Sequence, residues 1–434
     1  MRIVASVSLV VLVAAAACGG QTQGSNVDGT QNDAGSTPAD GGIIKADAGA
    51  GDATAVDSGG SDQYPAPHHP LPQLKPLGGP VLTNLKIVTI TYTGESERDS
   101  LRTFDATLVA ANSTWWQTVT SGYGVGPGTA LPPVELDAAD VANKSFDNDT
   151  TLKAYIQSLI TAGKLPKPDA NTLYNFYFPA STTVSLQGSQ SCQAFGAYHD
   201  SKVFDVGGGT MVEAAFSIIP NCGGGRSVSS SHEIIEAATD PHPQDMTAWY
   251  AYNDAWFGAG GGEIADLCET RGSAVWNGND VALAWSNAEA KASHDPCVPS
   301  DPNLVYFGAA VDTNEMFLSH DPTGGPDYMS EGYVSIAPGA TKTVPVDVFS
   351  AAKLPHDLTI VVGKRARGGD PHNVNPITNG VTATLSATTA RNGSKLTLTI
   401  NAAATVAKGD YPFVVRAILE NNDYHSWPVI LRVM

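Results

Sequence analysis

The sequence predicts an α/β domain followed by an all-β sandwich, with an export signal and a low-complexity spacer before them. Two patterns support this division. Between residues 81 and 300, apolar runs typical of buried strands alternate with helical patterns. From residue 301 to 434 the chain instead contains short apolar runs separated by turn residues. The length of 434 residues leaves room for more than one hydrophobic core.

Residues 1–18 have the features of a bacterial lipoprotein signal peptide. Arg2 is followed by an apolar stretch, and three alanines precede Cys18. This order is similar to a lipobox, which implies that Cys18 carries lipid and becomes the mature N-terminus. The alternative is an ordinary secretion signal with a chance cysteine. In both cases we expect an exported protein, and with the lipid anchor we expect it at the outer membrane or cell surface.

Residues 19–80 are predicted to be a spacer. As far as Asp62 they are rich in Gly, Ala, Asp, Thr and Ser and contain no aromatic residue, so they cannot bury enough surface to fold. Tyr64–Pro80 is a proline-rich lead-in to the first domain. The whole chain has a formal charge of −19, which excludes nucleic acid and anionic membrane surfaces as expected partners.

The predicted α/β domain, residues 81–300, contains three strong strand signals and two helical ones. Leu85–Tyr92, Leu173–Phe178 and Met211–Ile219 are β-branched or aromatic runs. Arg98–Ala111 and Thr150–Ala162 have apolar residues at helical spacing. A further helix follows the third strand, and it carries the most informative residues of the chain.

That helix contains the sequence HEIIE, which places His232 and Glu236 four residues apart and therefore on one face. The spacing is that of a zinc-binding helix in which Glu236 replaces the usual second histidine. His232 and Glu236 are predicted to bind the metal, and Glu233 to act as general base. We expect Ser229–Ser231 to supply the N-cap, and Asp240 with the proline after it to end the helix. Strands that alternate with helices and are followed by a helix of this metal-binding pattern indicate an α/β zincin-like domain.

A hydrolytic zinc ion needs a third protein ligand. Glu263 and Asp266 are ranked first because a Gly-rich stretch precedes them and a disulfide cysteine follows. The less favoured candidates are His242, Asp240 and His199. A donor set of one histidine and two carboxylates also suits calcium or manganese, so the predicted cofactor is zinc with calcium as the alternative.

The same helix permits a simpler interpretation, in which Ser230 and Glu233 form a capping box and Glu236 faces solvent. Besides Cys18 the chain has four cysteines, and an even number in an exported protein favours disulfides. Sequence proximity favours pairing Cys192 with Cys222 and Cys268 with Cys297, although three pairings are possible. The spacing of short strands in residues 301–434 is typical of an immunoglobulin-like β-sandwich.

The segments SHEIIEAATDP and EIADLC together resemble a group of secreted bacterial and fungal proteins described as metallopeptidase-like. Ser113–Trp116 and LYNFYFP are distantly similar to plant phosphate-induced, exordium-like proteins. The resemblance covers about residues 81–297. It implies a zincin-like domain that lacks the full zinc signature, with functional positions at the matching acidic and histidine residues named above.

The predicted function is zinc-dependent hydrolysis of a peptide bond at the bacterial cell surface, by a protein expected to be monomeric. The alternative is a non-catalytic surface lipoprotein that binds glycan or peptide through the aromatic loop Trp249–Phe257 and holds calcium or no metal. A third alternative is a structural envelope protein. The first two differ in whether Glu233 faces an open cavity beside a metal or hydrogen-bonds the start of its own helix.

Overall fold

The computed structural model describes residues 60–244, 246–256, 262–319, 328–364, 370–378 and 380–434. The signal peptide, Cys18, Phe257 and almost all of the low-complexity spacer lie outside these ranges. Of the described residues, 17% are helical and 39% are in strands. The protein is therefore mostly β.

The described ranges contain five α-helices and three other helical segments. The α-helices are α1 (Arg98–Leu108), α2 (Thr114–Val119), α3 (Lys153–Thr161), α4 (Arg226–Thr239) and α5 (Asn287–Ala292). The 3₁₀ helices are Ala138–Asp140 and Asp266–Arg271, and a π-helical turn, Asn148–Leu152, precedes α3.

Fifteen strands precede residue 300 in the described part of the chain. They are β1 (Lys75–Pro76), β2 (Lys86–Tyr92), β3 (Thr129–Ala130), β4 (Val134–Leu136), β5 (Ser145–Asp147), β6 (Thr172–Phe178), β7 (Thr183–Leu186), β8 (Ser189–Gln190), β9 (Tyr198–Asp205), β10 (Met211–Pro220), β11 (Trp249–Tyr250), β12 (Ser273–Trp276), β13 (Asn279–Ala282), β14 (Ala284–Trp285) and β15 (Cys297–Val298). Ten more follow: β16 (Phe307–Val311), β17 (Glu315–Ser319), β18 (Tyr328–Ile336), β19 (Thr341–Ser350), β20 (Leu358–Gly363), β21 (Val381–Leu385), β22 (Thr389–Ala390), β23 (Lys395–Ala402), β24 (Gly409–Ile418) and β25 (Tyr424–Val433).

The first sheet has six strands, in the order β3-β2-β6-β10-β9 with β4 also paired to β2. All of its pairs are parallel except β9 with β10. Strand β6 is buried on both faces, which explains why its sequence, TLYNFYF, does not alternate. Leu173 packs in a cluster with Ile234 and Ile235 of α4, whereas Tyr174 packs in a cluster with Ile156 of α3. This sheet supports α4 on one face.

The prediction of an α/β zincin-like domain followed by an immunoglobulin-like sandwich is wrong as a fold class, because the chain is mostly β-sheet with few helices. Between residues 81 and 300, the described chain also contains ten strands of two to four residues. Five of them (β3, β4, β5, β7 and β8) lie between the long strands, and five (β11–β15) follow β10. Segments of two to four residues are too short to show a periodic pattern. The sequence therefore concealed these ten short strands.

The strands after residue 306 form two sheets, ordered β16-β19-β23-β21 and β17-β18-β25-β24-β20-β22. Residues of β25 alternate between buried and more exposed, as expected when one face of a sheet covers a core. Strands β18 and β25 pair in parallel, and the other pairs of both sheets are antiparallel. One hydrophobic cluster includes Ile234 and Trp116 before residue 300 and Leu398 and Val433 after it. Apolar packing therefore continues across the predicted boundary at 300.

The proline-rich lead-in packs against the second half of the chain. Leu71 and Leu74 are buried in the shared core. The ring of His68 stacks on Phe349 with 3.7 Å between the ring centroids. The amide of Asn392 donates to the backbone carbonyls of Ser61 and Gln63. The segment that precedes the first sheet is thus attached to the C-terminal strands.

Two disulfides join the pairs that sequence proximity favoured. Cys192 bonds to Cys222 with a Cα–Cα distance of 5.2 Å, and Cys268 bonds to Cys297 with 5.5 Å. The predicted pairing is confirmed.

Candidate metal centre

Helix α4 begins earlier than the sequence predicted. Its N-cap is Gly225, whose φ of 68° lies in the left-handed region that glycine adopts without strain. Arg226 follows, and its guanidinium donates to Glu95 at 2.7 Å. The expected N-cap at Ser229–Ser231 is therefore wrong, because these serines lie inside the helix.

The capping-box interpretation is wrong for the same reason. The hydroxyl of Ser230 lies 2.7 Å from the Tyr177 hydroxyl and donates to the Asp105 carboxylate at 3.1 Å, so it serves the contact between helix and sheet. The Glu233 carboxylate lies 3.4 Å from Nδ1 of His199 on β9. Only 5% of Glu233 is exposed. It faces a largely buried cluster of histidine and acidic side chains, which consists of His199, His232, Glu236, Asp240, Glu263 and Asp266.

Helix α4 ends at Thr239, as predicted, with Asp240 as its C-cap. Oδ1 of Asp240 accepts the backbone N–H of Ala248 at 2.9 Å and so fixes the chain that leaves the helix. The other carboxylate oxygen, Oδ2, is buried and accepts no hydrogen bond from any described residue.

Three predicted ligands converge at the exposed side of the cluster. Nε2 of His232 lies 3.1 Å from Oε2 of Glu236 and 3.4 Å from Oδ1 of Asp266. Two donors on one tetrahedral zinc ion, each at its usual bond length, are about 3.4 Å apart. The three donor atoms all lie within 4.8 Å of one another. Their geometry suits one small cation.

A second group of donors lies deeper and shares Glu236. It consists of His199, Glu236 and Glu263, whose donor atoms are also within 4.8 Å of one another. Nδ1 of His199 is 3.8 Å from Oε2 of Glu236, and its Nε2 is 3.3 Å from Oε1 of Glu263. The His199 side chain is 3% exposed.

Glu236 holds the returning loop in position. Its Oε1 accepts the backbone N–H groups of Ala265 (3.1 Å) and Asp266 (3.0 Å) at the start of the second 3₁₀ helix. The carboxylate on α4 thereby places both Glu263 and Asp266 beside the histidines. The interpretation of Glu236 as a solvent-facing residue is wrong, because its side chain is 3% exposed.

The pKa values of three carboxyl groups in this cluster are raised. Burial, reinforced by the charge of Asp266, raises the pKa of Glu236 to about 7. Burial and the charge of Glu263 raise the pKa of Asp240 to about 8. Burial also raises the pKa of Glu263 to about 7, although His199 opposes the change. Without a cation, this cluster keeps protons that isolated carboxylates would have lost.

The pKa values of the two histidines are also raised. Burial alone would lower the pKa of His199, but the carboxylates of Glu263 and Glu233 outweigh it and the pKa is raised well above the ordinary value. The pKa of His232 is likewise raised, because Glu236 and Asp266 outweigh burial. Both imidazoles therefore lie where a positive charge is favoured.

Of the less favoured ligands, the structure places two in the cluster and one outside the two donor groups. His199 and Asp240 are in the cluster, whereas Nδ1 of His242 lies 3.5 Å from Glu213. Sequence reasoning ranked His199 last because nothing local marks it. It reaches the site through the antiparallel pairing of β9 with β10, in which it is opposite Ser217.

Most of the predicted aromatic loop packs internally. Trp249 forms an edge contact with Tyr123, and Trp256 contacts Trp285 and Trp427. These rings connect the segment after α4 to both halves of the chain.

No family model and no curated protein sequence matches this chain. Among solved structures, domains 4 and 5 of the S-layer protein SbsC align with a TM-score of 0.17 and 16% identity, over 29% of this chain and 53% of that one. Domains 1–6 of SbsC align with a TM-score of 0.17 and 11% identity, over 58% of this chain and 37% of that one. The chain thus spans about half or less of these structures. At this TM-score the alignments carry no argument about fold or function.

The two disulfides mark a secreted or surface protein, because such bonds persist in oxidising compartments. Within the described ranges, no helix has the length and apolar character needed to cross a bilayer.

Proposed function

We propose that this protein is a zinc-dependent hydrolase that cleaves peptide bonds outside the cytoplasm. His232, Glu236 and Asp266 would bind the ion. The observation that carries the proposal is the convergence of these three donors at a partly open position. The side chains of His232 and Asp266 are 17% and 16% exposed, which leaves access for water at a fourth coordination position.

Glu233 is proposed as the general base. It follows His232 directly on α4, and its charge contributes to the raised pKa values of both His199 and His232. A carboxylate so close to the ligands can take a proton from the attacking water and return it to the leaving amine. The HEIIE spacing suggests peptide hydrolysis, and the resemblance to secreted metallopeptidase-like proteins stays a prediction.

Zinc is preferred to calcium because of the donor set. Each donor group includes an imidazole nitrogen, and calcium sites are built from oxygen ligands. A calcium-binding surface protein without catalysis is the alternative. It predicts calcium in the purified protein and no hydrolysis.

The proposal is tested by measuring metal content and peptide hydrolysis on the same preparations. We expect zinc in the wild-type protein and the loss of one zinc equivalent in His232→Ala. Glu233→Gln should retain zinc and cleave a fluorogenic peptide library at least about 100-fold more slowly, the usual contribution of a general base. Glu289→Gln, at a surface glutamate bonded to His294, serves as the control. Full activity in Glu233→Gln would refute the assigned role.

We also propose that Cys18 is lipidated and anchors the protein to the cell envelope. The arrangement of the first 18 residues supports this. Metabolic labelling with a fatty acid should label the wild-type chain. A Cys18→Ala variant should be unlabelled and released from membranes, and equal labelling of both would contradict the anchor.

A further inference from the structure

His199 is flanked by acceptors at both ring nitrogens. Its Nε2 donates to the backbone carbonyl of Asp240 at 3.1 Å. A neutral imidazole that donates from Nε2 has a lone pair at Nδ1. That Nδ1 faces Oε2 of Glu233 at 3.4 Å and Oε2 of Glu236 at 3.8 Å. A proton on Nδ1 or a bound cation has to separate this nitrogen from the two carboxylate oxygens.

The contact with the carbonyl of Asp240 is the type that orients a metal-binding histidine. Such histidines usually donate their second ring N–H to a carbonyl or carboxylate, which fixes the tautomer and the direction of the coordinating nitrogen. Here it directs Nδ1 of His199 toward Glu236. The geometry is therefore that of a ligand with its orienting partner.

A second observation comes from the carboxylates around His199. Asp240 is 1% exposed, and its Oδ2 accepts no hydrogen bond from the described residues. Oε1 of Glu263 is also buried, and its nearest ring nitrogen is Nε2 of His199 at 3.3 Å, whose N–H is directed to the carbonyl of Asp240. Buried carboxylate oxygens without donors are costly unless a cation lies near them.

We infer that the cluster holds two divalent metal ions, with Glu236 shared between them. The first ion is the one of the proposed function, on which this inference rests. The second is bound by His199, Glu236 and Glu263, with Asp240 close by. Oε2 of Glu236 is the oxygen that faces both histidines, 3.1 Å from His232 and 3.8 Å from His199.

Charge supports two ions rather than one. Five carboxylates surround two imidazoles, namely Glu233, Glu236, Asp240, Glu263 and Asp266. Metal binding requires ionised carboxylates and neutral imidazoles. In that state one divalent cation leaves an excess of three negative charges in a largely buried volume, and two reduce it to one. In two-metal hydrolases with ions about 3.5–4 Å apart, both ions stabilise the reacting oxygens.

The test counts bound zinc by native mass spectrometry on the full chain, stripped with EDTA and reloaded with Zn²⁺ alone. Two ions are expected in the wild-type protein and one in His199→Ala. Glu263→Gln preserves the shape of the side chain, and we expect at least a tenfold weaker second binding step. His232→Ala should also retain one ion, and the surface variant His294→Ala should retain two.

The other outcomes separate this inference from the proposed function. One ion that His199→Ala retains and His232→Ala loses overturns the second site and leaves the proposed function standing. One ion lost in both variants means a single shared site and likewise overturns the inference. No bound zinc in the wild-type protein overturns both.

Discussion

Replacing Glu236 with glutamine should stabilise the metal-free protein at neutral pH. Burial raises the pKa of this carboxyl from 4.5 to about 7. A tenfold change in an acid constant corresponds to about 1.4 kcal/mol, so ionising Glu236 costs the folded state about 3 kcal/mol. Glutamine has nearly the same shape, and its amide oxygen can still accept the N–H groups of Ala265 and Asp266.

The sign of the pH dependence follows from the raised pKa. The folded state binds the proton more tightly than the unfolded state does. The contribution of Glu236 is therefore complete below about pH 4.5 and is lost as the pH rises through about 7. Glu236→Gln should match the wild-type stability at pH 4 and exceed it by about 3 kcal/mol at pH 8.

The assay is urea unfolding in EDTA at several pH values, repeated with zinc. Zinc at 100 times its dissociation constant should stabilise the wild-type protein by about 2.7 kcal/mol and should have little effect on Glu236→Gln. Glu289→Gln is the surface control and should follow the wild type. A Glu236→Gln variant that is less stable than the wild type at pH 8 in EDTA would refute the reasoning. That result would mean that the ionised carboxylate is favourable in the folded protein.

Four further variants test the supporting structure. Asp105 is fully buried and accepts hydrogen bonds from Thr89, Asn175, Tyr177 and Ser230, so Asp105→Ala should cost about 3–5 kcal/mol by urea unfolding. Asp105→Asn should cost less. Removing the Cys268–Cys297 bond by a double serine substitution opens a loop with a sequence separation of 29 and should cost about 3–4 kcal/mol of unfolding free energy. Arg226→Met leaves the buried carboxylate of Glu95 without its partner and should lower the midpoint of thermal unfolding.

The long buried strands and both chemically distinctive segments could be predicted from the sequence. The run Leu173–Phe178 is recognisable as a strand because five of its six residues are aliphatic or aromatic. HEIIE and EIADLC were linked through the chemistry of their side chains, and the structure brings His232, Glu236 and Asp266 together. Local composition was sufficient in these cases.

The remaining features depend on contacts between distant residues. The start of α4 was misplaced because serines are common N-caps, whereas Gly225 and the ion pair between Arg226 and Glu95 set the true boundary. His199 joins the site through strand pairing, which one sequence does not reveal. The fold class was wrong because strands of two to four residues resemble loops when the sequence is considered alone.

The two disulfides also restrain two segments that carry candidate metal ligands. Cys268 lies two residues after Asp266, and the segment between Cys192 and Cys222 contains His199. In the reducing cytoplasm both bonds are open, and the ligands they restrain are held only by noncovalent contacts. Oxidation after export closes both loops around the cluster. For the proposed hydrolase, metal loading would thereby be tied to the compartment, and full activity would be acquired only after export.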